Sequence, residues 1–525
     1  MSTRNHPESL PPSTPAGPAG EKDKRTVLFL FIGLMITMLL ASLNQTVLST
    51  ALPTIVGELN GVDQMTWVIT GYILASTIVM PVYGRISDQL GRKPVLVVAI
   101  ILFIVGSIVG GLAPNIGILI AGRVLQGLGG GGLMILSQAA IADAVPARER
   151  GKYMGAMGAV FAVASVAGPL LGGWLTEGPG WRWAFWMNLP LGLLAIAATI
   201  VFLPARATRA AERPRLDYLG MALIAAATTT LVLICTWGGH TYPWGSAQII
   251  GLAVATVVLA GAFVWAERRA QSPVIPMSLF ADRNFAVTTV AALAIGVAMF
   301  GAIGYMPTYI QMVTGVDATH SGLLMIPMMG GLLVASVISG QAVTRTGRYK
   351  AFPIAGAVVI GIGLALLSTM TVTTPNWLMC TYLAILGIGI GLSLQILTLI
   401  VQNSFPGAIV GTATAASNYF RQVGATLGSA VVGSVFASRL MSILAEKLAG
   451  TGAVQGGDKG RNHLTPAAVN ALPDAVRTPI VEAYNEALLP IFLFLVPLAV
   501  VAFAVLCFID PKELATSTRT EAVDP

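Results

Sequence analysis

The chain has 525 residues, of which 55% are hydrophobic and 10% charged, with a formal net charge of +7. A soluble chain carries about 25% charged residues, so composition excludes an ordinary soluble enzyme or binding domain. The basic residues fall between apolar runs rather than in one patch, which favours anionic lipid over nucleic acid as their partner.

Residues 1–25 are polar and Pro-rich and are expected to be disordered and cytoplasmic. From Val27 onward apolar runs recur, many at or beyond the roughly 20 residues that cross a bilayer. Fourteen spans are predicted: 27–49, 66–83, 94–112, 116–140, 153–175 and 183–203, then 217–237 and 247–266, then 285–312, 321–343, 351–371, 376–400, 409–438 and 487–509. The first run is too long for a signal-peptide core and is read as a retained span. The division that follows is a six-helix bundle over 26–204, two extra helices within 205–284, a second six-helix bundle over 285–510, and a cytoplasmic tail, 511–525.

Lys and Arg orient the spans. Alternate connections hold Lys22, Lys24 and Arg25; Arg85, Arg92 and Lys93; Arg148, Arg150 and Lys152; Arg206, Arg209, Arg213 and Arg215; Arg268, Arg269 and Arg283; and Arg345, Arg348 and Lys350. The short loops on the other side hold little beyond Arg182, so both termini are expected to be cytoplasmic, while the retained spans and the lack of organelle-targeting features favour a bacterial-type plasma membrane. A long outer segment, 439–486, is the basic exception, and Thr465-Pro466 within it is a helix-start signal. One inner connection, 401–408, carries no positive charge.

Two inner loops echo each other: Gly84-Arg-Ile-Ser-Asp-Gln-Leu-Gly-Arg-Lys93 after the second span and Gly340-Gln-Ala-Val-Thr-Arg-Thr-Gly-Arg-Tyr-Lys350 after the tenth. Such repeats are common in transporters. The first loop resembles the signature of the major facilitator superfamily, with Gly84, Asp88, Gly91, Arg92 and Lys93 matching and Gln89 in place of a usual basic residue. Arg123-Val-Leu-Gln-Gly127 in the fourth span resembles that family's Arg-x-x-Gln-Gly element. Gly168-Pro169-Leu-Leu-Gly172-Gly173 in the fifth resembles the Gly-Pro-x-x-Gly-Gly element of drug:proton antiporters, with Ala164 at an upstream glycine position. Trp181–Pro190, Phe420-Arg-Gln-Val-Gly424 and the span count resemble the fourteen-helix branch of that group.

The resemblance implies an all-α polytopic membrane protein of the major facilitator fold, two six-helix bundles plus two intervening helices, that exports amphiphilic small molecules in exchange for protons. In the family the Gly168–Gly173 element lies at the contact between halves, and Asp143 pairs with Arg92 in a cytoplasmic latch. Physically, Asp88 could cap the N-terminus of the thirteenth span near Gly407–Gly411, and a positive charge in 401–408 would repel that helix end. The glycine-rich stretches 129–132, 168–173, 387–391 and 424–428 permit close helix approach, and Pro169 can kink its helix.

Within the spans Arg123 and Arg421 lie deep and no Asp or Glu does. Intramembrane charges cost several kcal/mol and mark functional positions. The chain departs from its family at Leu43-Asn44-Gln45-Thr46, where the usual residue at Asn44 is a titratable Asp. A direct hydrogen bond from Arg123 to Asn44 is expected to replace an ion pair, leaving Asp88, Asp143 or the substrate itself to exchange protons. A cavity holding both arginines suits neutral, zwitterionic or anionic amphiphiles better than dications. Gln45, Gln126, Gln311, Gln395, Asn418 and Gln422 are candidate polar cavity residues; Tyr305, Tyr309, Met299, Met306, Met325 and Met329 are candidate apolar ones. A dedicated metabolite or lipid exporter without proton coupling stays open. A membrane-embedded enzyme has less support, because His240 and His320 stand isolated and no nucleophile or metal spacing accompanies them. No cofactor or metal is expected; the expected partners are an amphiphilic substrate, protons and lipids.

Overall fold

The computed structural model describes residues 20–61, 64–204, 216–239, 241–447, 469–470 and 472–514. Of the segment 1–25 expected to be disordered, residues 1–19 lie outside those residues and the rest is already helix from Gly20; Arg206, Arg209, Arg213, Arg215, His240 and the Thr465-Pro466 helix start also lie outside them.

Among the described residues the chain is helical, with one isolated bridge between Gly238 and Tyr242 in place of any sheet. Fourteen helical segments are long and apolar enough to span a bilayer. The first part comprises α1 (Gly20–Glu58), α2 (Met65–Leu90), α3 (Arg92–Gly111), α4 (Ile116–Ala144), α5 (Ala147–Glu177), α6 (Trp183–Trp186) and α7 (Asn188–Phe202). A hairpin of α8 (Tyr218–Trp237) and α9 (Ala247–Glu267) follows. The last part comprises α10 (Arg283–Ile303), α11 (Met306–Thr314), α12 (Ala318–Leu324), α13 (Ile326–Thr346), α14 (Ala351–Ser368), α15 (Asn376–Ser404), α16 (Val410–Lys447) and α17 (Asp474–Cys507). Side-chain caps start several helices: Asn115 accepts from the Ile118 N–H, Asp217 from Gly220, Asp282 from Phe285 and Asp317 from His320.

Three predicted spans are broken helices. The ninth divides into α10 and α11 at Gly304–Tyr305, and the tenth into α12 and α13 at Met325. Pro307 and Pro327 sit in the first turns of α11 and α13, where a missing N–H is tolerated and a continuous helix is not. The sixth divides at Met187.

The outer segment 439–486 differs from its expected form. Helix α16 continues to Lys447 and α17 already begins at Asp474, so both project beyond their predicted apolar ends. The extensions hold each other: Lys447 Nζ lies 3.1 Å from Glu482 and 2.6 Å from Glu486, and Arg439 Nη2 donates to the Glu486 carbonyl. Polar pairing rather than hydrophobicity maintains helix there, which is why a hydrophobic reading ended too soon.

Helices α1–α7 pack among themselves, as do α10–α17; α8 packs on α9, α2 and α16. Helix α9 leaves Val254, Val257, Val258 and Trp265 exposed, an apolar outer face suited to lipid. The two halves meet where α5 packs on α13 and α2 on α16. These joints cluster at the end of the molecule that carries Arg85, Arg92 and Lys93, hereafter the basic face. Among the described residues helix α1 packs chiefly on α5, α7 and α4 of its own half.

The echoing loops occupy corresponding places in these joints. Gly84 lies against Gly411 and Ala415 of α16, and Gly340 against Gly151 of α5. The second glycine of each loop, Gly91 (φ 89°) and Gly347 (φ 72°), adopts the left-handed backbone that ends one helix before the next begins. Beyond Gly347, Tyr349 anchors the chain's last described residues. Its hydroxyl accepts from the Lys512 N–H at 2.6 Å, and burial raises its phenol above the ordinary value.

Candidate functional site

In the first bundle α1, α3, α4 and α7 bring together a buried network of uncharged side chains around one guanidinium. Arg123 is 2% exposed. Its Nε donates to the Val68 carbonyl at 3.2 Å, its Nη1 donates to Gln126 Oε1 at 2.8 Å, and its plane lies 4.2 Å from the Tyr72 ring centroid. Gln126 Nε2 then donates to Asn44 Oδ1 at 3.2 Å and to Ser107 Oγ at 2.7 Å, and Asn188 Nδ2 donates to Asn44 Oδ1 at 3.0 Å. The expected direct bond between Asn44 and Arg123 is therefore absent. Gln126 stands between them, because one helical turn on α4 places it beside Arg123 and its amide both accepts and donates.

Arg123 lines a small cleft, open to the surroundings, together with Gln45, Ser49, Tyr72 and the side chains of Leu48, Leu52, Ile69 and Ile73. Gln45 is exposed there, whereas Gln126 is fully buried in the network and forms no part of the cavity wall. Arg421 does not share this cavity. It is half-buried on α16 and reaches across the joint to the Met134 sulfur at 3.9 Å.

At the basic face the joint between halves is polar and specific. Asp88 Oδ1 accepts from the Gly411 N–H at 3.1 Å, and its Oδ2 accepts from the N–H and hydroxyl of Thr412, each at 2.6 Å. These amides belong to the first turn of α16, whose leading N–H groups have no partners within the helix. Arg92 pairs with Asp88, donates to Ser87 Oγ, and donates through Nε to Asp143 Oδ2 at 3.1 Å. Lys93 instead donates to the Ile200 carbonyl at the end of α7. Deeper in the joint, Asn418 Nδ2 donates to Gln138 Oε1 at 3.1 Å, Gln402 Nε2 to the Gln138 carbonyl at 3.2 Å, and Arg150 Nη1 to the Gln402 carbonyl at 3.3 Å. Asn418 thus belongs to the joint and not to an open cavity. Gln138, Arg150 and Gln402 entered none of the expected sites: Gln138 is a polar residue inside an apolar run, Arg150 figures only among the orienting basic residues, and Gln402 lies in the uncharged connection 401–408.

The glycines also divide differently from expectation. Gly168 and Gly172 press α5 onto α1 of the same bundle, at Thr46 and at the Val47 carbonyl, and Pro169 lies within the continuous helix. Gly173 has open space where a side chain would begin. The contact between halves uses a different face of α5: Gly151, Gly155 and Gly158, each against Gly340 or Ser336 of α13. The spacing of these three follows helical periodicity, which was the available signal.

The remaining expected residues lie apart. Tyr309 is buried and donates to Asn485 Oδ1 at 2.7 Å, and Tyr305 donates to the Ser429 carbonyl at 3.0 Å. Met299, Met306, Met325 and Met329 are buried in the apolar core of the second bundle. Gln395 is buried beside Gly158 in the joint between halves. Gln311 and Gln422 are half-buried, and Gln311 donates to the Pro307 carbonyl of its own helix.

A second tie reaches the signature loop from the segment after α9. Ser272 Oγ accepts from Arg85 Nη2 at 2.9 Å and from Gln89 Nε2 at 2.8 Å. Glu267, 3% exposed at the end of α9, accepts the N–H groups of Val274 and Ile275 and so holds this segment in its turn. Val274, Ile275 and Leu279 then bury against Phe285, Ala413 and Tyr419 of the second bundle. The segment accordingly touches α2 and α16 at once.

Comparison with known proteins agrees with this architecture. The family model described as Major Facilitator Superfamily matches residues 34–429. An uncharacterized MFS-type transporter of Mycobacterium tuberculosis is 42% identical over 487 residues, covering 93% of this chain and 70% of that relative. The multidrug transporter protein MdtP of Bacillus subtilis is 37% identical, covering 82% of this chain and 78% of its own length; multidrug resistance protein 3 of the same organism is 31% identical, covering 94% and 97%. Among solved structures, the human organic anion transporter MFSD10 aligns with a TM-score of 0.60 at 15% identity, covering 93% of this chain and all of that one, a likeness of fold. With fourteen apolar helices, echoing loops joined across two bundles and these matches, the chain belongs to the major facilitator superfamily of membrane transporters.

Proposed function

We propose that this chain is a plasma-membrane exporter of amphiphilic small molecules, drugs and antibiotics among them, working by alternating access in exchange for protons. The observation that carries this reading is the asymmetry between the two ends. The basic face is closed by Asp88 on the first turn of α16 and by the α5–α13 glycine contact, while the Arg123 cavity lies toward the other end. With the basic face and both termini cytoplasmic, as the Lys and Arg distribution supports, this is an outward-facing state. Release of Asp88 from α16, with its Arg92–Asp143 support, then accompanies the inward-facing state. Polyspecificity is supported by relatives named as multidrug transporters and by the apolar cavity wall around a few polar groups.

A dedicated exporter or facilitator without proton coupling is favoured by one feature, the uncharged Asn44–Gln126–Asn188 network where titration is expected in the family. Reconstitution in liposomes containing a pH-sensitive dye separates the readings. Proton movement triggered by a neutral or zwitterionic amphiphile supports antiport through another group; flux without proton movement leaves the facilitator; no flux of any amphiphile overturns export.

A further inference from the structure

Arg123 is a buried cation without a counter-charge. Its partners are a carbonyl, a glutamine and an aromatic face, and the network beyond Gln126 consists of Asn44, Ser107 and Asn188, all neutral. Among the described residues no carboxylate pairs with it. A guanidinium held in such a medium gives up hydration, and a well-placed anionic acceptor offsets more of that loss than a neutral one does. Nε and Nη1 are committed to the protein, whereas among the described residues Nη2 has no acceptor, and Arg123 forms part of the cleft wall. The same cleft is bordered by Gln45, by Ser49, whose hydroxyl donates to the Gln45 carbonyl at 2.9 Å, and by leucine and isoleucine side chains.

We propose that this cavity is an anion-headgroup site, in which a carboxylate, phosphate or sulfonate accepts from Arg123 Nη2 and its attached hydrocarbon lies along Leu48, Leu52, Ile69 and Ile73. The proposal deepens the export reading by naming the substrate's charged end, and it rests on that cavity being the substrate's. Chemistry decides the sign: Tyr72 shields one face of the guanidinium and Gln126 holds its inner edge, so the open position is a donor that favours an anionic acceptor. A cationic headgroup there meets a like charge in a medium of low dielectric constant. The anion comes either from a dissolved amphiphile or from an anionic lipid, and both present the same oxygen atoms.

The test uses the full chain in phosphatidylcholine nanodiscs and a matched pair of fluorescent probes, 11-dansylamino-undecanoic acid and its methyl ester, which share a body and differ by one charge. A charge-assisted hydrogen bond corresponds to roughly ten-fold or more in affinity, so the acid is expected to bind at least about ten-fold tighter than the ester. R123Q is expected to abolish that preference by weakening the acid alone, with ester affinity reporting an intact cavity, and R123K to keep part of it. Q45E, which places a negative charge at the cavity without entering the buried network, is expected to weaken the acid similarly and carries the test if R123Q does not fold. Equal affinity for acid and ester in the wild-type chain, or a preference that survives both R123Q and Q45E, overturns the proposal. Repeating the titration in discs containing phosphatidylglycerol separates the sources: competition with the acid identifies lipid as an occupant, and its absence identifies the dissolved amphiphile. Acid preference without flux in liposomes refutes export and keeps the site; flux without acid preference does the reverse.

Discussion

Asp88 accepts both the backbone N–H and the hydroxyl of Thr412, at 2.6 Å each, across 324 residues of chain. Two features of the sequence, an acid in a basic loop and a loop without bases, are the two sides of this contact, as the expected cap links them. Any Lys or Arg in 401–408 would stand at the positive end of α16 and compete for Asp88.

Asp88→Asn keeps one acceptor but loses the charge and Arg92's counter-ion. Hydrogen bonds to charged groups are worth about 1.5–3 kcal/mol, so the closed basic face is expected to lose at least about ten-fold in population. Spin-label distances between the basic-face ends of α2 and α16 measure this. An unchanged distribution would remove Asp88 from the latch.

Gly155→Val and Gly340→Val introduce atoms where the α5 and α13 backbones touch. Overpacking of this kind costs about 1–3 kcal/mol, and both variants are expected to unfold at lower temperature in detergent and to transport poorly. Gly173→Ala, pointing into open space, is expected to change stability by less than about 0.5 kcal/mol. Equal thermal shifts for Gly155→Val and Gly173→Ala would contradict the assignment of the contact face.

Ser272→Ala removes the acceptor shared by Arg85 and Gln89. One bond comes from a charged guanidinium, at about 1.5–3 kcal/mol, and one joins neutral groups, at about 0.5–1.5 kcal/mol. Against the three bonds and the ion pair that Asp88 makes, these predict a shift toward the open basic face smaller than that of Asp88→Asn. Because both ties cross the same opening, the double variant is expected to shift further than either alone in the same distance measurement. No added effect would mean that the segment after α9 rides with one half.

Asn44→Asp places a carboxylate one glutamine away from Arg123. Through-space attraction at an intermediate dielectric constant then offsets the arginine's charge. Flux of a dication such as chlorhexidine is expected to rise by roughly ten-fold on electrostatic grounds, with anionic amphiphiles transported less well. If dication flux stays at the wild-type level, Arg123 does not set charge selectivity.

Sequence by itself determined the class of molecule, the number of spans and the contact of Asp88 with the helix that begins near Gly411. Hydrophobic runs report burial in lipid directly, and a charge in such a run is rare enough to stand out, as Arg123 and Arg421 did. Tertiary structure alone decided which polar residues meet. Gln126 came to separate Asn44 from Arg123, Gln138 and Gln402 came to bridge the halves, and the glycines of contact proved to be Gly151, Gly155 and Gly158 rather than Gly173. The reason is physical: inside a bilayer packing and hydrogen bonding, not hydrophobicity, choose the face a helix presents to its neighbour. One glycine or glutamine looks the same in sequence whether it faces lipid, its own bundle or the other half.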